Sequence, residues 1–328
     1  MSLPFRAWLA AVNLGVGALL GASVVFAQVP VAAVPVAAVP VAAVPVAAVP
    51  LAGPVRSPAA FAAGSVEWRP EFRRVAWPEY VAAPLLLTGA FVQSFFFQPE
   101  TDADWTGPIL LDRPLQNALR ASSARARSRA NAWSNVLLAS SALHLALIDP
   151  WLVAAWIHRR PDVAWQMTVI DGEIFGLTEL SNRLTKRLVG RERPYGERCE
   201  ADPDIGNCST EVRYRSFFSG HATASSTFAG LTCAHHQKLG LYGSFAADLG
   251  ACVASAGVTL TTGLLRIASD DHWWSDVVVG HLLGFSAGYL LTWALYYRDA
   301  LPASESRRPL LVPIVGSGVW GLALGGQL

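Results

Sequence analysis

The chain has 328 residues, of which 52% are hydrophobic and only 15% charged, and its formal net charge is +1. So balanced a charge excludes a nucleic-acid binder, which carries a basic surplus. A mean hydropathy of +0.35 points to a membrane protein or an unusually apolar helical bundle, and the length suits one domain with appendages.

The first segment, residues 1–27, reads as a signal peptide or N-terminal anchor: MSLPFR carries one arginine, an apolar run follows, and Val25-Phe26-Ala27 offers a cleavage site after Ala27. VPVAA is then repeated four times between Val29 and Ala48. A proline in every fifth position removes donors and blocks helix, so polyproline II or disorder is expected, and residues 28–77 are a low-complexity spacer. Four cysteines follow. Cys199 and Cys208 bracket the polar loop CEADPDIGNC, whereas Cys233 and Cys252 fall in separate apolar segments. An exported chain permits disulfides, and the loop pair is the natural one.

Helices are expected over 79–97, 112–132, 134–157, 165–187, 219–239, 244–264 and 275–297, several of them near the ~20 residues that span a bilayer. The second carries Arg113, Arg120, Arg125, Arg127 and Arg129, as a cytoplasmic loop or a solvated face would. The fourth contains Asp171, Glu173, Glu179 and Asn182, costly in lipid unless they face the bundle interior. A membrane bundle and an apolar periplasmic bundle both fit. Alternation returns only at 310–326, where a short hairpin can form in the 301–328 tail.

Polar residues gather at helix ends. KRLVGRERP sets Lys186 six residues before Arg193-Pro194; FSGH places Ser219, Gly220 and His221 at a helix start; LRIASDDHWWSD gives Arg266, then His272 after five residues, then Asp276. With the arginine-rich segment set aside and consecutive helices antiparallel, all three clusters face one side of the bundle. The resulting pocket holds three cations, the amides of a helix N-terminus, two imidazoles and a carboxylate. That set suits an oxyanion and phosphoryl transfer. His272 and Asp276, four apart, share a helix face, so the carboxylate can orient the ring.

On these residues the chain resembles the type-2 phosphatidic acid phosphatase/vanadium haloperoxidase superfamily, over Lys186 to Asp276 for the motifs and 79–297 for the helical pattern. Phe218 stands where the family usually has proline and Leu265 where it often has serine. The resemblance implies an all-α fold: a bundle of about six core helices over 78–300, preceded by a disordered N-terminal segment. It implies that His272 attacks phosphorus and that Asp276 holds its tautomer. His221 protonates the leaving alkoxide and then activates water, while Lys186, Arg193, Ser219, Gly220 and Arg266 hold the non-bridging oxygens. No metal or cofactor is required.

The expected activity is therefore a metal-independent phosphatase acting through a phosphohistidine on a phosphate monoester, a phosphorylated lipid or diphosphate or a small soluble ester, at a membrane. A phosphotransferase using the same pocket is a variant. A vanadium-dependent haloperoxidase, with vanadate as cofactor, is the alternative, although family haloperoxidases are usually larger and soluble. A lipid-binding bundle has no need of an oriented nucleophile. His144, His158, His235, His236 and His281 lack such partners in sequence and read as structural. Arg191, Arg198, Arg213 and Arg215 read as a solvated loop, with tuning of the pocket's field as the alternative, and Trp273 and Trp274 as packing, an acyl-chain entrance or a lipid-interface pair. Export and a periplasmic active site are expected. If three helices before Lys186 spanned the membrane after a cleaved signal, however, parity would put that lysine in the cytoplasm.

Overall fold

The computed structural model describes residues 66–96, 103–199, 208, 210–298 and the backbones of 310–316 and 319–325. The signal peptide and VPVAA repeats lie outside the described residues. Six long helices dominate: α1 (Trp77–Phe96), α3 (Ala124–Leu143, running on as a wider-wound segment, His144–Ile157), α4 (Pro161–Val189), α7 (Gly220–Leu239), α8 (Phe245–Ala268) and α9 (Trp274–Phe285, continuing to Tyr297). Three short helices join them: α2 (Asp112–Leu119), α5 (Gly196–Cys199) and α6 (Thr210–Arg213). In the tail, Leu310–Gly316 (β1) pairs antiparallel with Val319–Gly325 (β2). The fold is an all-α bundle.

Local chemistry sets the boundaries. Pro161 opens α4, where no backbone donor is needed, and Gly190, at φ +49°, ends it in the left-handed region. Ser123 and Ser244 cap α3 and α8, accepting from the amides of Ala126 and Ala247 at 3.2 Å. The Ser123 cap corrects the expected 112–132 helix: the chain breaks at Arg120, whose backbone is extended, and α3 then absorbs Arg125, Arg127 and Arg129 in its first turns.

The core forms where Val163, Met167, Ile170 and Ile174 of α4 meet Ala224, Phe228 and Leu231 of α7, with Tyr296 and Tyr297 closing it. α7 is the central helix, buried almost throughout from Ala222 to His236, and it is built of small residues. Gly284 and Gly288 of α9 face it so closely that a Cβ on either would strike a carbonyl of Thr223 or Thr227. This close approach fixes the register of α7 on α9, the two helices whose N-termini carry the second and third motifs.

Many polar side chains inside the bundle are paired, as burial favours. His235 bonds Asp171 at 2.8 Å and Tyr297 at 2.6 Å; His236 bonds Asp248 at 2.6 Å and Asp149 at 3.3 Å. His281 bonds Ser226 at 2.7 Å, His158 the Leu241 carbonyl at 2.9 Å, and His144 the Tyr242 hydroxyl at 3.0 Å. All five histidines that lacked visible partners in the sequence therefore have them, brought from other parts of the chain. Both cysteine pairs are bridged, Cys199–Cys208 and Cys233–Cys252; the second, which separate segments concealed, ties α7 to α8.

The outside is apolar. Leu249, Val253, Leu260 and Leu264 lie exposed on α8, and Leu282, Leu290 and Trp293 on α9. Three helical stretches are long and apolar enough to cross a membrane: Ala124–Ile157, Phe245–Ala268 and Trp274–Tyr297. Among the described residues, one such stretch precedes Lys186, where the parity argument assumed three.

Candidate active site

Antiparallel packing brings the C-terminal ends of α4 and α8 and the N-terminal ends of α7 and α9 together around a cavity of about 610 Å³. Lys186, Arg193, Gly220, His221, Arg266 and His272 all line it, as do Asn135 of α3 and Asn182 of α4. Leu138, Ala142, Phe175, Ala224 and Phe228 add an apolar part to the lining. Six of the eight site residues expected from sequence thus share one cavity. The other two, Ser219 and Asp276, stand behind its wall.

Ser219 is fully buried and caps α7, its hydroxyl accepting from the Ala222 amide at 3.5 Å. Its backbone amide donates to the Asp276 carbonyl at 3.0 Å, which stitches the second motif to the third. The hydroxyl is therefore spent on the helix terminus, and Gly220 is the member of the pair that meets the cavity. A Cβ on Gly220 would lie 3.1 Å from both Asn182 Oδ1 and Lys186 Nζ. The glycine leaves room for the lysine head beside the amide. Phe218, in place of the usual proline, is buried and offers its carbonyl to Asn182 Nδ2 at 2.9 Å.

His272 is buried, and its Nδ1 faces Asp276 Oδ2 at 3.6 Å with no hydrogen-bond partner. With Nδ1 turned toward the carboxylate, Nε2 is the nitrogen left for the cavity. Asp276 is itself held on three sides: Arg191 donates to Oδ1 at 2.5 Å, and Ser216 and the Trp273 amide donate to Oδ2 at 2.5 and 3.0 Å. Arg191 was expected in a solvated loop. It is instead fully buried, bonded also to Asp112 at 2.7 Å and Ser275 at 2.8 Å, with its guanidinium carbon 4.0 Å from the centre of the Trp105 ring. Of its neighbours, Arg198 pairs with Asp270, Arg213 pairs with Glu192, and Arg215 lines the cavity. Trp273 is packing, its Nε1 donating to the Glu192 carbonyl at 2.9 Å.

The cations shape the site's acid–base chemistry. Burial first, then the charges of Arg193, Lys186 and Arg266, hold His272 well below the ordinary histidine range, so it is neutral and nucleophilic. Burial, with Arg266 and Lys186, pushes His221 down to about 3. Burial and Arg193 push Lys186 down to about 7. The cavity lining is thus short of negative charge. An anion of the right size would return protons to Lys186 and His221, supplying a charged grip and an acid together. His221 Nε2 lies 2.6 Å from Asn135 Oδ1, a contact from α3 that no motif announced.

Two imidazoles and three cations about one cavity form an arrangement suited to an oxyanion such as a phosphoryl group. Residues 169–300 match the PAP2 superfamily. The matched segment spans every motif residue from Lys186 to Asp276, and likeness to that superfamily supports a phosphatase-type function in general. No curated protein and no solved structure gives a significant match. Asn131, Ser134 and Asn135 of α3 lie before the matched segment, yet Arg266 donates to Asn131 at 2.5 Å and to Ser134 at 3.2 Å. These contacts were missed because nothing in the sequence ties α3 to the end of α8.

Proposed function

We propose that this protein is a phosphomonoesterase that acts on amphiphilic phosphate esters, a lipid phosphate or diphosphate foremost, through a phosphohistidine. The observation that carries the reading is one cavity whose lining is of two kinds: the polar Lys186, Arg193, Gly220, His221, Arg266 and His272, and the apolar Leu138, Ala142, Phe175 and Phe228. A charged head and an apolar tail on one molecule would satisfy both.

In this reading Arg193 and Arg266 fork onto non-bridging oxygens, Lys186 adds a point charge, and the Gly220 amide at the N-terminus of α7 completes the cradle. His272 Nε2 attacks phosphorus, the P–O ester bond breaks, and His221 gives its proton to the departing alkoxide. Water then attacks the phosphohistidine, giving a proton to His221, and the P–N bond breaks to release orthophosphate. As imidazolium character develops on His272, Asp276 is positioned to stabilise Nδ1–H, and Arg191 keeps that carboxylate in place. The cations and amides supply the positive field the transition state needs.

Two disulfides support export, since such bonds persist in oxidising compartments. Three helices apolar enough to cross a bilayer support membrane association. Together they favour a site at the periplasmic face. A topology reporter fused after Glu200 tests this, and an active cytoplasmic reporter there rules it out.

The activity test is phosphate release by purified protein from long-chain alkyl phosphates and matched short-chain esters, in detergent, with His272→Ala as the control. The expected result is hydrolysis that is lost in the variant and faster with the long chain. Hydrolysis that survives His272→Ala refutes the mechanism.

A further inference from the structure

Two aspartates precede the proposed nucleophile in SDDH, and the fold sends them opposite ways. Asp270 has φ +69°, in the left-handed region, and its carboxylate accepts from Gln116 at 2.6 Å and pairs with Arg198. Asp271 turns to the cavity arginines. Its Oδ1 accepts from Arg193 Nη1 at 3.2 Å, its Oδ2 lies 3.1 Å from Arg266 Nη2, and Ser269 Oγ donates to Oδ2 at 2.6 Å. The backbone is pinned as well: the amides of Asp271 and His272 both donate to the Arg266 carbonyl, at 3.2 and 3.3 Å. Asp271 does not line the cavity. It sits behind the two guanidiniums that do.

One carboxylate shared by two guanidiniums does two things. It holds two like charges at a fixed separation, and it cancels one unit of positive charge at the back of a cradle built from Lys186, Arg193 and Arg266. Asn131 and Ser134 hold the other side of Arg266 but are neutral, so they orient it without weakening its field. We infer that Asp271 is a positioning residue that sets how tightly the cavity grips a phosphate: it trades affinity for the orthophosphate product against a fixed arginine fork. This rests on the phosphatase reading of the cavity.

The direction of the effect separates this role from a structural one, because structural damage loosens an anion site whereas removal of this charge tightens it. The experiment measures orthophosphate as a competitive inhibitor of p-nitrophenyl phosphate hydrolysis by the full-length protein. In Asp271→Asn the inhibition constant and the KM are expected to fall by about threefold or more. Asp271→Glu, which keeps the charge, is expected to stay within about twofold of wild type. An Asn variant that folds and binds orthophosphate no more tightly than wild type overturns the proposal, and so does a Glu variant that tightens equally. If the Asn variant does not fold, Ser269→Ala decides. Freed of that donor, the Asp271 carboxylate neutralises the arginines more fully, and the inhibition constant rises about twofold or more; no change overturns the proposal. A wild-type protein that neither hydrolyses the ester nor binds orthophosphate refutes the phosphatase reading itself.

Discussion

Arg191 Nη1 donates to Asp276 Oδ1 at 2.5 Å, and Arg191 Nη2 donates to Asp112 Oδ2 at 2.7 Å, with all three side chains fully shielded from water. One buried guanidinium therefore compensates two buried carboxylates, one of which faces the proposed nucleophile. Replacing Arg191 by Met leaves both anions without that partner. The expected cost is about 3–5 kcal/mol of stability, read from the denaturant midpoint. Arg191→Lys is expected to recover only part of it, since an ammonium cannot span both carboxylates as a planar fork does.

His221 as general acid predicts a dependence on the leaving group. A His221→Asn variant is expected to lose on the order of 10²–10⁴-fold in kcat/KM on alkyl phosphates, which depart as strongly basic alkoxides. On p-nitrophenyl phosphate, whose leaving group needs little protonation, the loss is much smaller. Steady-state rates on the two substrates check this, and equal losses remove His221 from the acid role.

The cradle should also weaken with pH. Lys186, pushed down to about 7, loses its proton above that pH and must regain it to hold an anion. Bound anion favours the protonated lysine, so the lysine's contribution to affinity is level below about 7 and falls above it, at the limit by tenfold per pH unit. Sulfate, whose charge is constant from pH 6 to 9, is the probe. Its inhibition constant is expected to rise over that range, and to rise less in Lys186→Met, which starts weaker.

The Cys233–Cys252 bridge closes a loop of 19 residues between α7 and α8. Constraint of the unfolded chain by a loop of that size is worth about 3 kcal/mol. A variant with both Cys233 and Cys252 replaced by Ser is expected to lose about that much in denaturant unfolding, and reduction of the wild-type protein, which also opens Cys199–Cys208, is expected to cost more.

Much of the site was legible in the chain. Lys186, Arg193, Gly220, His221, Arg266 and His272 could be gathered from spacing and helix direction, because antiparallel connectivity decides which helix ends share a side. Ser219 was legible as a residue but not in what its hydroxyl does: a helix N-terminus with unpaired amides took it as a cap. Arg191 was misread for a related reason. Charge in a loop is ordinarily solvated, and only the arrival of Asp112 from α2, Ser275 and Asp276 from α9, and the Trp105 ring makes burial of this one affordable. The histidines outside the cavity have partners that no local pattern shows, because those partners lie 12 to 98 positions away.

By itself, then, the sequence determined the helical class, the capping residues that bound the helices, and which titratable groups belong to one end of the bundle. All of these follow from local periodicity, backbone preference and connectivity. Tertiary structure alone decided which groups meet the cavity and which stand behind it, which cysteines and buried charges pair, and that Asp271 rather than Asp270 backs the arginines. Those outcomes depend on distances between segments remote in the chain, and a hydrogen bond or ion pair is won or lost within an ångström that no local pattern encodes.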